Sequence, residues 1–421
     1  MRPQVVTRRD GALRILHVTS YYEPAWGFGG IVRAVSGACE ALCACGHEVS
    51  VLTTNASPNG RLDVPLERAH RRDGVTVTYF PLAWRGWPLG RFYYSAALAR
   101  ASLQHVRQAD VTHLSMVWGH PAAAASRVCR REGTPYVVSP HGTFLPPHYA
   151  RKRWKKSLWM EFRGRGILHH AAAIHAISRA EVRALARLGL GERTAYVPNG
   201  VNVREFAALP GRAQAVARWP RLRDRRAVLF LSRLHPGTGL HELIPAFARV
   251  RRAHDDVVLI RAGPNAGYER QAHALVGKHD LDEHVLFTGM LTGADRLLAF
   301  AAAHVFVLPS HAECLPMAAL EALACGLPAV TTAACNLPEV QRVGAGLVVA
   351  PDADAIATAL DHILSLSESR LEAMGARGRA LAESQFAWDT IARKMTTLYR
   401  CILHAKPVPP EPEPFDGGAP K

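Results

Sequence analysis

The chain has 421 residues, 48% hydrophobic and 20% charged, which suits a globular protein too long for one ordinary core. Its formal charge is +16, and residues 1–200 carry 27 basic against 12 acidic side chains while residues 201–421 carry 24 against 23. Nearly all of the excess therefore lies in the first half, which points to an anionic partner there: a phosphorylated substrate, an acidic membrane surface or nucleic acid.

No apolar run approaches the roughly 18 residues of a membrane span. The polar, Arg-rich N-terminus lacks a secretory core. Eight cysteines (Cys39, Cys43, Cys45, Cys129, Cys314, Cys325, Cys335, Cys401) show neither a CxxC pair nor zinc spacing. Most sit among Ala, Leu and Val and read as small hydrophobes in a reducing compartment. The expected location is the cytoplasm, or the inner face of the plasma membrane as a peripheral protein. With no helix-turn-helix, zinc or RNA-binding signature, nucleic acid is not an expected partner.

Short apolar runs alternate with helix-period stretches along the whole chain, the pattern of parallel α/β sheets. Strands are expected at residues 13–19, 48–54, 75–80, 111–114, 136–139, 172–176 and 195–197, with a helix over 31–45 closed by Gly46. Pro198-Asn199-Gly200 makes a turn, and a polar linker with the basic run Arg221–Arg226 follows. Strands then resume at 227–232, 257–262, 285–288, 305–308 and 329–331. The expected fold class is α/β, two Rossmann-like doubly wound domains facing across a cleft. The expected boundaries are an N-terminal extension 1–12, a first domain 13–200 and a second 201–385. A C-terminal helix, 386–404, crosses back to the first domain, and 405–421 is a Pro- and acid-rich disordered tail.

Candidate site residues cluster at expected strand ends. The stretch 309–328, PSHAECLPMAALEALACGLP, places Glu313 in a loop and Glu321 in a helix opening at Pro316. The loop acid and the bare amides of the first helical turn address one crevice, where an anion such as diphosphate is favoured. Gly27-Phe-Gly29-Gly30 opens the first helix and lets backbone approach a phosphate. It is not the GxGxxG fingerprint, and no acid ends the strand at 48–54, so a nicotinamide cofactor is not expected. His141 follows a strand in Ser139-Pro-His-Gly142, and Arg233 follows another in Leu231-Ser-Arg-Leu-His-Pro236. A guanidinium suits a diphosphate because it is permanently charged and bidentate. Gly263, in Ala262-Gly-Pro264, ends the next strand, where a base or ribose fits.

His113 and His120 are less specific, and His169, His170 and His175 read as surface or packing residues. The cluster Arg151, Lys152, Arg153, Trp154, Lys155, Lys156 and Trp159 mixes cations with indoles, the composition of an interfacial membrane patch. Trp84, Arg85, Trp87, Arg91, Phe92, Tyr93 and Tyr94 extend it.

Taken together and in chain order, YYEPAWGFGGIVRAVSGACEAL, SPHGTF, RWKKSLW, VPNGV, LSRLHPGTGLHELIPAFARV and the stretch 309–328 resemble the family 4 retaining glycosyltransferases with the GT-B fold, of the bacterial surface-polysaccharide and lipid-linked-glycan type. The likeness runs from about residue 13 to 402. It implies a nucleotide-sugar donor, a glycan or polyprenyl-diphosphate-linked acceptor bound by the first domain, no metal or other cofactor, and reaction with retention. It further implies that Gly29 and Gly30 lie against the donor phosphate or reacting sugar. His141 contacts the transferred sugar, Arg233 the β-phosphate and Glu313 sugar hydroxyls. Leu315 and Pro316 line the donor, and Glu321 holds the ribose. One departure stands out: Thr238 occupies the place of the family's usual phosphate-binding Lys, which raises the alternative of a catalytically degenerate nucleotide-sugar binder.

Overall fold

The computed structural model describes residues 11–58, 60–83, 92–146 and 159–409. They form two compact units, one holding the described residues up to Pro198 with those from Asp389 onward, the other Asn199–Trp388.

The first unit is built on β1 (Arg14–Val18), β2 (Glu48–Thr54), β3 (Ala56–Ser57), β4 (Gly60–Arg61), β5 (Ala69–Arg72), β6 (Val75–Phe80), β7 (Val111–Ser115), β8 (Tyr136–Ser139), β9 (Ala173–Ala176) and β10 (Thr194–Tyr196). Among the described residues its main sheet runs β10-β9-β8-β7-β1-β2-β6-β5. Every pairing in it is parallel except that of edge strand β5 with β6. β1 and β7 are neighbours although far apart in sequence, so the chain winds outward on both sides of them. The helix Gly30–Ala44 buries Val32, Val35, Cys39 and Leu42, a spacing of three to four that lays one face on the sheet. Ser95 and Ser178 cap the helices Ala96–Gln108 and Arg179–Ala186 by accepting backbone N–H groups. The helix Trp388–Leu403 rests on this unit through Thr396, bonded to His47 at 2.9 Å, and Tyr399.

The second unit holds β11 (Arg226–Leu231), β12 (Val257–Ala262), β13 (Val285–Gly289), β14 (Ala303–Leu308), β15 (Ala329–Thr332) and β16 (Gly346–Val349). Its sheet runs β13-β12-β11-β14-β15-β16 and is wholly parallel. The reversal point lies between β11 and β14. Val228, Phe230, Ile260 and Phe306 are fully buried in the strands, with Ile244 and Phe247 of the helix Leu240–Ala253 packed on them.

Four strands escape the sequence reading: β3, β4, β5 and β16. β5 reads Ala-His-Arg-Arg and is mostly exposed, an edge strand with no apolar alternation to reveal it. The stretch read as a polar linker is instead structured. Arg212–Arg218 is a helix, Trp219 and Leu222 are buried, and β11 starts already at Arg226. The tail from residue 410 and the basic residues 151–158 lie outside the described residues.

Candidate active site

In the second unit the loops after β11 and β14 meet at the reversal point, where His311 donates its backbone N–H to the Gly237 carbonyl at 3.0 Å. Open parallel sheets bind ligands at such points. Arg233 leaves the end of β11 exposed, and among the described residues no carboxylate stands within ion-pair distance of it. Glu313 follows β14 and accepts the Ser310 hydroxyl at 3.2 Å. Desolvation raises its carboxyl above the ordinary range, with the Arg233 charge and the Ser310 hydroxyl opposing. Its loop is fixed by Asn336, whose side-chain amide donates to the Glu313 carbonyl at 2.7 Å.

Leu315 and Pro316 are buried where the helix Met317–Ala324 begins, and no side chain caps that helix. The Ala319 N–H already donates to the Pro316 carbonyl at 3.2 Å, which leaves the amides of Met317 and Ala318, ahead of it, for an anion. Two glycines permit the close backbone approach. A Cβ on Gly263 would lie 2.0 Å from the Ser232 carbonyl oxygen, and one on Gly239 2.0 Å from that of Pro309. Both also have positive φ.

Glu321 is almost fully buried, 2.6 Å from the Nη1 of Arg296. Arg296 is itself buried, pairs with Glu205 as well, and lies over the Phe206 ring. Burial works against its charge, but the two carboxylates outweigh that and hold the guanidinium protonated beyond its usual range. Arg296 escaped the sequence reading because it lies on the helix Gly293–Ala302 with no motif around it. Thr238 is buried, and its hydroxyl donates toward the carbonyls of His235 (2.7 Å) and Arg233 (3.3 Å). It shapes the turn that carries Arg233.

In the first unit, Gly29 has φ +85 and ends the short turn Trp26–Phe28, and Gly30 opens the following helix. His141 stands beyond the end of β8 with φ +53, a strained backbone for a non-glycine residue. Beneath it lies a buried lattice of imidazoles and hydroxyls, and its proton positions follow from one anchor. A carbonyl can only accept, so His175 Nε2–H donates to Val197 O at 2.7 Å. His175 Nδ1 then accepts from the Ser139 hydroxyl at 2.6 Å, and Ser139 accepts from His113 Nε2–H at 2.7 Å. His113 Nδ1 accepts from the Tyr399 hydroxyl at 2.7 Å. Beside this wire His17 stacks on His113, their ring centres 4.7 Å apart. The Ser115 hydroxyl bridges His17 (2.7 Å) and His141 (3.2 Å).

Every ring stays neutral. Burial first, then neighbouring histidines, push His17 and His141 down to about 3 and His113 well below its usual value. Burial lowers His175 to about 4 against the pull of the Val197 carbonyl.

The turn bearing His141 is held at both ends. Ser139 is pinned by the two imidazoles, and Gly142 donates its N–H to the fully buried Glu181. The other Glu181 oxygen accepts from Ile177 N at 3.0 Å. Glu181 was missed, although Ser178-x-x-Glu181 carries the helix-start pattern that signals it. His113 and His175, read as unspecific or packing residues, are the centre of this lattice. Trp159, assigned to the basic patch, stacks on Phe92 (4.9 Å) and donates its indole N–H to Val117 O at 3.2 Å.

Family comparison supplies the context. The model described as "Glycosyl transferase 4-like domain" matches residues 29–200, and that described as "Glycosyl transferases group 1" matches residues 213–381. A Corynebacterium glutamicum protein named GDP-mannose-dependent monoacylated alpha-(1-6)-phosphatidylinositol monomannoside mannosyltransferase is 27% identical over 358 residues, 81% of this chain and 88% of its own. A Mycobacterium tuberculosis GDP-mannose-dependent alpha-(1-6)-phosphatidylinositol monomannoside mannosyltransferase is 32% identical over 214 residues, and the chain spans about half of its length, 55%. Among solved structures, Anabaena HepE in complex with UDP and glucose has a TM-score of 0.73 at 19% identity, covering 91% of this chain and 98% of that one. WaaG, a glycosyltransferase involved in lipopolysaccharide biosynthesis, has a TM-score of 0.67 at 18% identity, covering 91% and 99%. With both family models in sequence order and the two doubly wound units they require, this chain belongs to the family 4 glycosyltransferases of GT-B fold.

Proposed function

We propose that the protein is a retaining hexosyltransferase that moves a sugar from a nucleoside-diphosphate sugar to a glycan or polyprenyl-diphosphate-linked acceptor at the cytoplasmic membrane face. The observation that carries this reading is the second unit's reversal point. There Arg233, with no carboxylate within ion-pair distance among the described residues, stands beside Glu313 and the uncapped helix at Met317. A diphosphate is met by the guanidinium and helix amides in place of a metal ion. Glu313 accepts from sugar hydroxyls, and Glu321, oriented by Arg296, addresses the ribose.

In the transfer step the acceptor hydroxyl forms the new glycosidic bond at the anomeric carbon as the bond to the diphosphate breaks on the same face. The hydroxyl proton passes to the leaving phosphate oxygen. His141, kept neutral by its surroundings, orients the transferred sugar through uncharged hydrogen bonds. The mannosyltransferase relatives are named for GDP-mannose and HepE is complexed with UDP and glucose, which supports a nucleotide sugar but two different bases. The acceptor assignment draws on the basic first half and on the lipid acceptors in the relatives' names. Among the described residues no helix is long and apolar enough to cross a membrane; contact with an anionic surface is proposed for the basic, Trp-bearing stretch 151–159 on its composition. Co-sedimentation of wild type and Trp154→Ala with anionic vesicles tests that part.

Thermal unfolding against UDP, GDP, ADP and TDP and their sugar conjugates tests the donor site. A ligand at 100 times its Kd should stabilise the protein by about 2.7 kcal/mol, and Glu321→Ala should abolish the shift. The second reading, a nucleotide-sugar binder without turnover, is favoured by Thr238 alone. It predicts the same shift with no transfer to any acceptor.

A further inference from the structure

A cavity of about 530 Å³ opens in the second unit, lined by Arg212, Val216, Arg223, Arg225, Arg226 and His304 together with Ala213, Asp224 and Asp256. It lies at the edge where the strands begin: Arg226 is the first residue of β11, His304 the second of β14, and Asp256 directly precedes β12. Arg233, Gly263 and Glu313 all follow strand ends at the opposite edge of the same sheet, so this cavity is separate from the crevice described above.

Its charges do not cancel. Asp256 is fully engaged by Arg226, which donates to both carboxylate oxygens at 2.7 and 2.6 Å. Arg212 donates to three backbone carbonyls, those of Ala302 (2.7 Å), Leu222 (3.1 Å) and Arg225. Arg225 donates to the Glu283 carbonyl at 2.9 Å. These carbonyls fix the guanidiniums in place and leave their charge intact, and among the described residues no carboxylate stands within ion-pair distance of Arg212, Arg223 or Arg225. Asp224 is exposed and held at φ +54 in the tight turn between Arg223 and Arg225. Counting Asp224 against those three, a surplus of two positive charges faces the cavity. His304 senses it independently. Its Nδ1 accepts the Ala227 N–H at 3.1 Å, and it is pushed down to about 4 by burial and then by Arg212 and Arg226, with only Asp256 among the charged groups acting the other way.

We propose that this cavity is a second ligand site, taking a small doubly charged oxyanion of the phosphate class, free or carried on a small metabolite. Pre-oriented guanidiniums bind tetrahedral oxyanions through paired, charge-assisted N–H donors. The surplus of two charges equals that of a phosphate dianion. The volume exceeds the ~30 Å³ share of one water many times over, so a phosphate with a small organic substituent also fits, its apolar part against Ala213 and Val216.

The test is a titration of the full chain with inorganic phosphate and then pyrophosphate, followed by calorimetry and by the NMR signal of the His304 ring. The expected result, near neutral pH where phosphate is a dianion, is a saturable site whose occupation shifts the His304 ring signal. Arg223→Glu with Arg225→Glu should weaken it about 100-fold, two charge-assisted contacts being lost. Lys278→Glu with Arg370→Glu, exposed residues of equal charge change elsewhere on this unit, should leave it within about twofold. If the Arg225 change unfolds the unit, Arg223→Ala alone, at an exposed side chain, should still weaken the site about tenfold. Equal weakening by both charge-reversed pairs, or a His304 signal that does not respond at saturation, overturns the proposal. Tighter binding of a phosphorylated sugar than of phosphate identifies a metabolite as the occupant, and equal binding identifies the free anion.

Discussion

Glu181 and Gly142 are 39 residues apart, yet the Glu181 carboxylate accepts the Gly142 backbone N–H in a fully buried contact. With Ile177 N on its second oxygen, this side chain clamps the turn that aims His141. Replacing Glu181 with Gln puts an NH₂ group against one of two backbone donors, so one end of the turn comes loose. A shift of about 1 Å in a positioned group costs on the order of 100-fold in turnover. The expected outcome for Glu181→Gln is that loss in kcat, with the affinity for nucleoside diphosphate unchanged. An equal fall in nucleotide affinity would show a general folding defect instead.

Acid should unfold the first unit steeply. His17 and His141 titrate near 3, His175 near 4 and His113 well below normal when folded, against about 6.5 in the unfolded chain. Between those limits the unfolded state binds protons that the native state refuses, so stability falls as pH falls from about 6.5 toward 4. Each imidazole contributes about 1.4 kcal/mol per pH unit, and four together on the order of 5. Denaturant titrations at pH 7, 6 and 5 measure the slope. A midpoint that ignores pH would mean the rings are charged in place.

Thr238→Lys should trade stability for turnover. The hydroxyl's single proton, shared between the His235 and Arg233 carbonyls, loses its bond, at about 1 kcal/mol. A cation beside Arg233 should raise kcat, on the order of tenfold or more, by stabilising the leaving diphosphate. Steady-state kinetics with the donor that gives a thermal shift decides it. Unchanged or lower turnover would mean the leaving-group charge is met elsewhere in this chain.

Arg261 is 1% exposed on β12, and among the described residues Nε and Nη2 have no acceptor. Burial lowers it to about 10, against the pull of Glu269. A buried charge with unmet donors is costly, and an apolar side chain of similar length removes the cost. Arg261→Met should raise the unfolding free energy of the second unit by about 1–2 kcal/mol, read from its denaturation midpoint. A drop would show that the stack of Arg261 on Phe287 outweighs desolvation.

Much of this protein was legible along the chain, because its determinants are local. Apolar runs separated by helix-period stretches specify buried parallel strands, and glycines at positions 29 and 263 mark backbone that no side chain can replace. Arg233, His141 and Glu313 were singled out as residues just past expected strands, and each does follow the end of one, at β11, β8 and β14. Tertiary structure alone decided the partners. The order of strands brings His17 beside His113, and the last helix delivers Tyr399 across 286 residues. The packing of Gly293–Ala302 puts Arg296 on Glu321, and the folding of 212–226 gathers four guanidiniums around one cavity. A periodicity records which face of an element is buried. It holds no information on which distant side chain will meet it there, since that depends on how strands are ordered in the sheet.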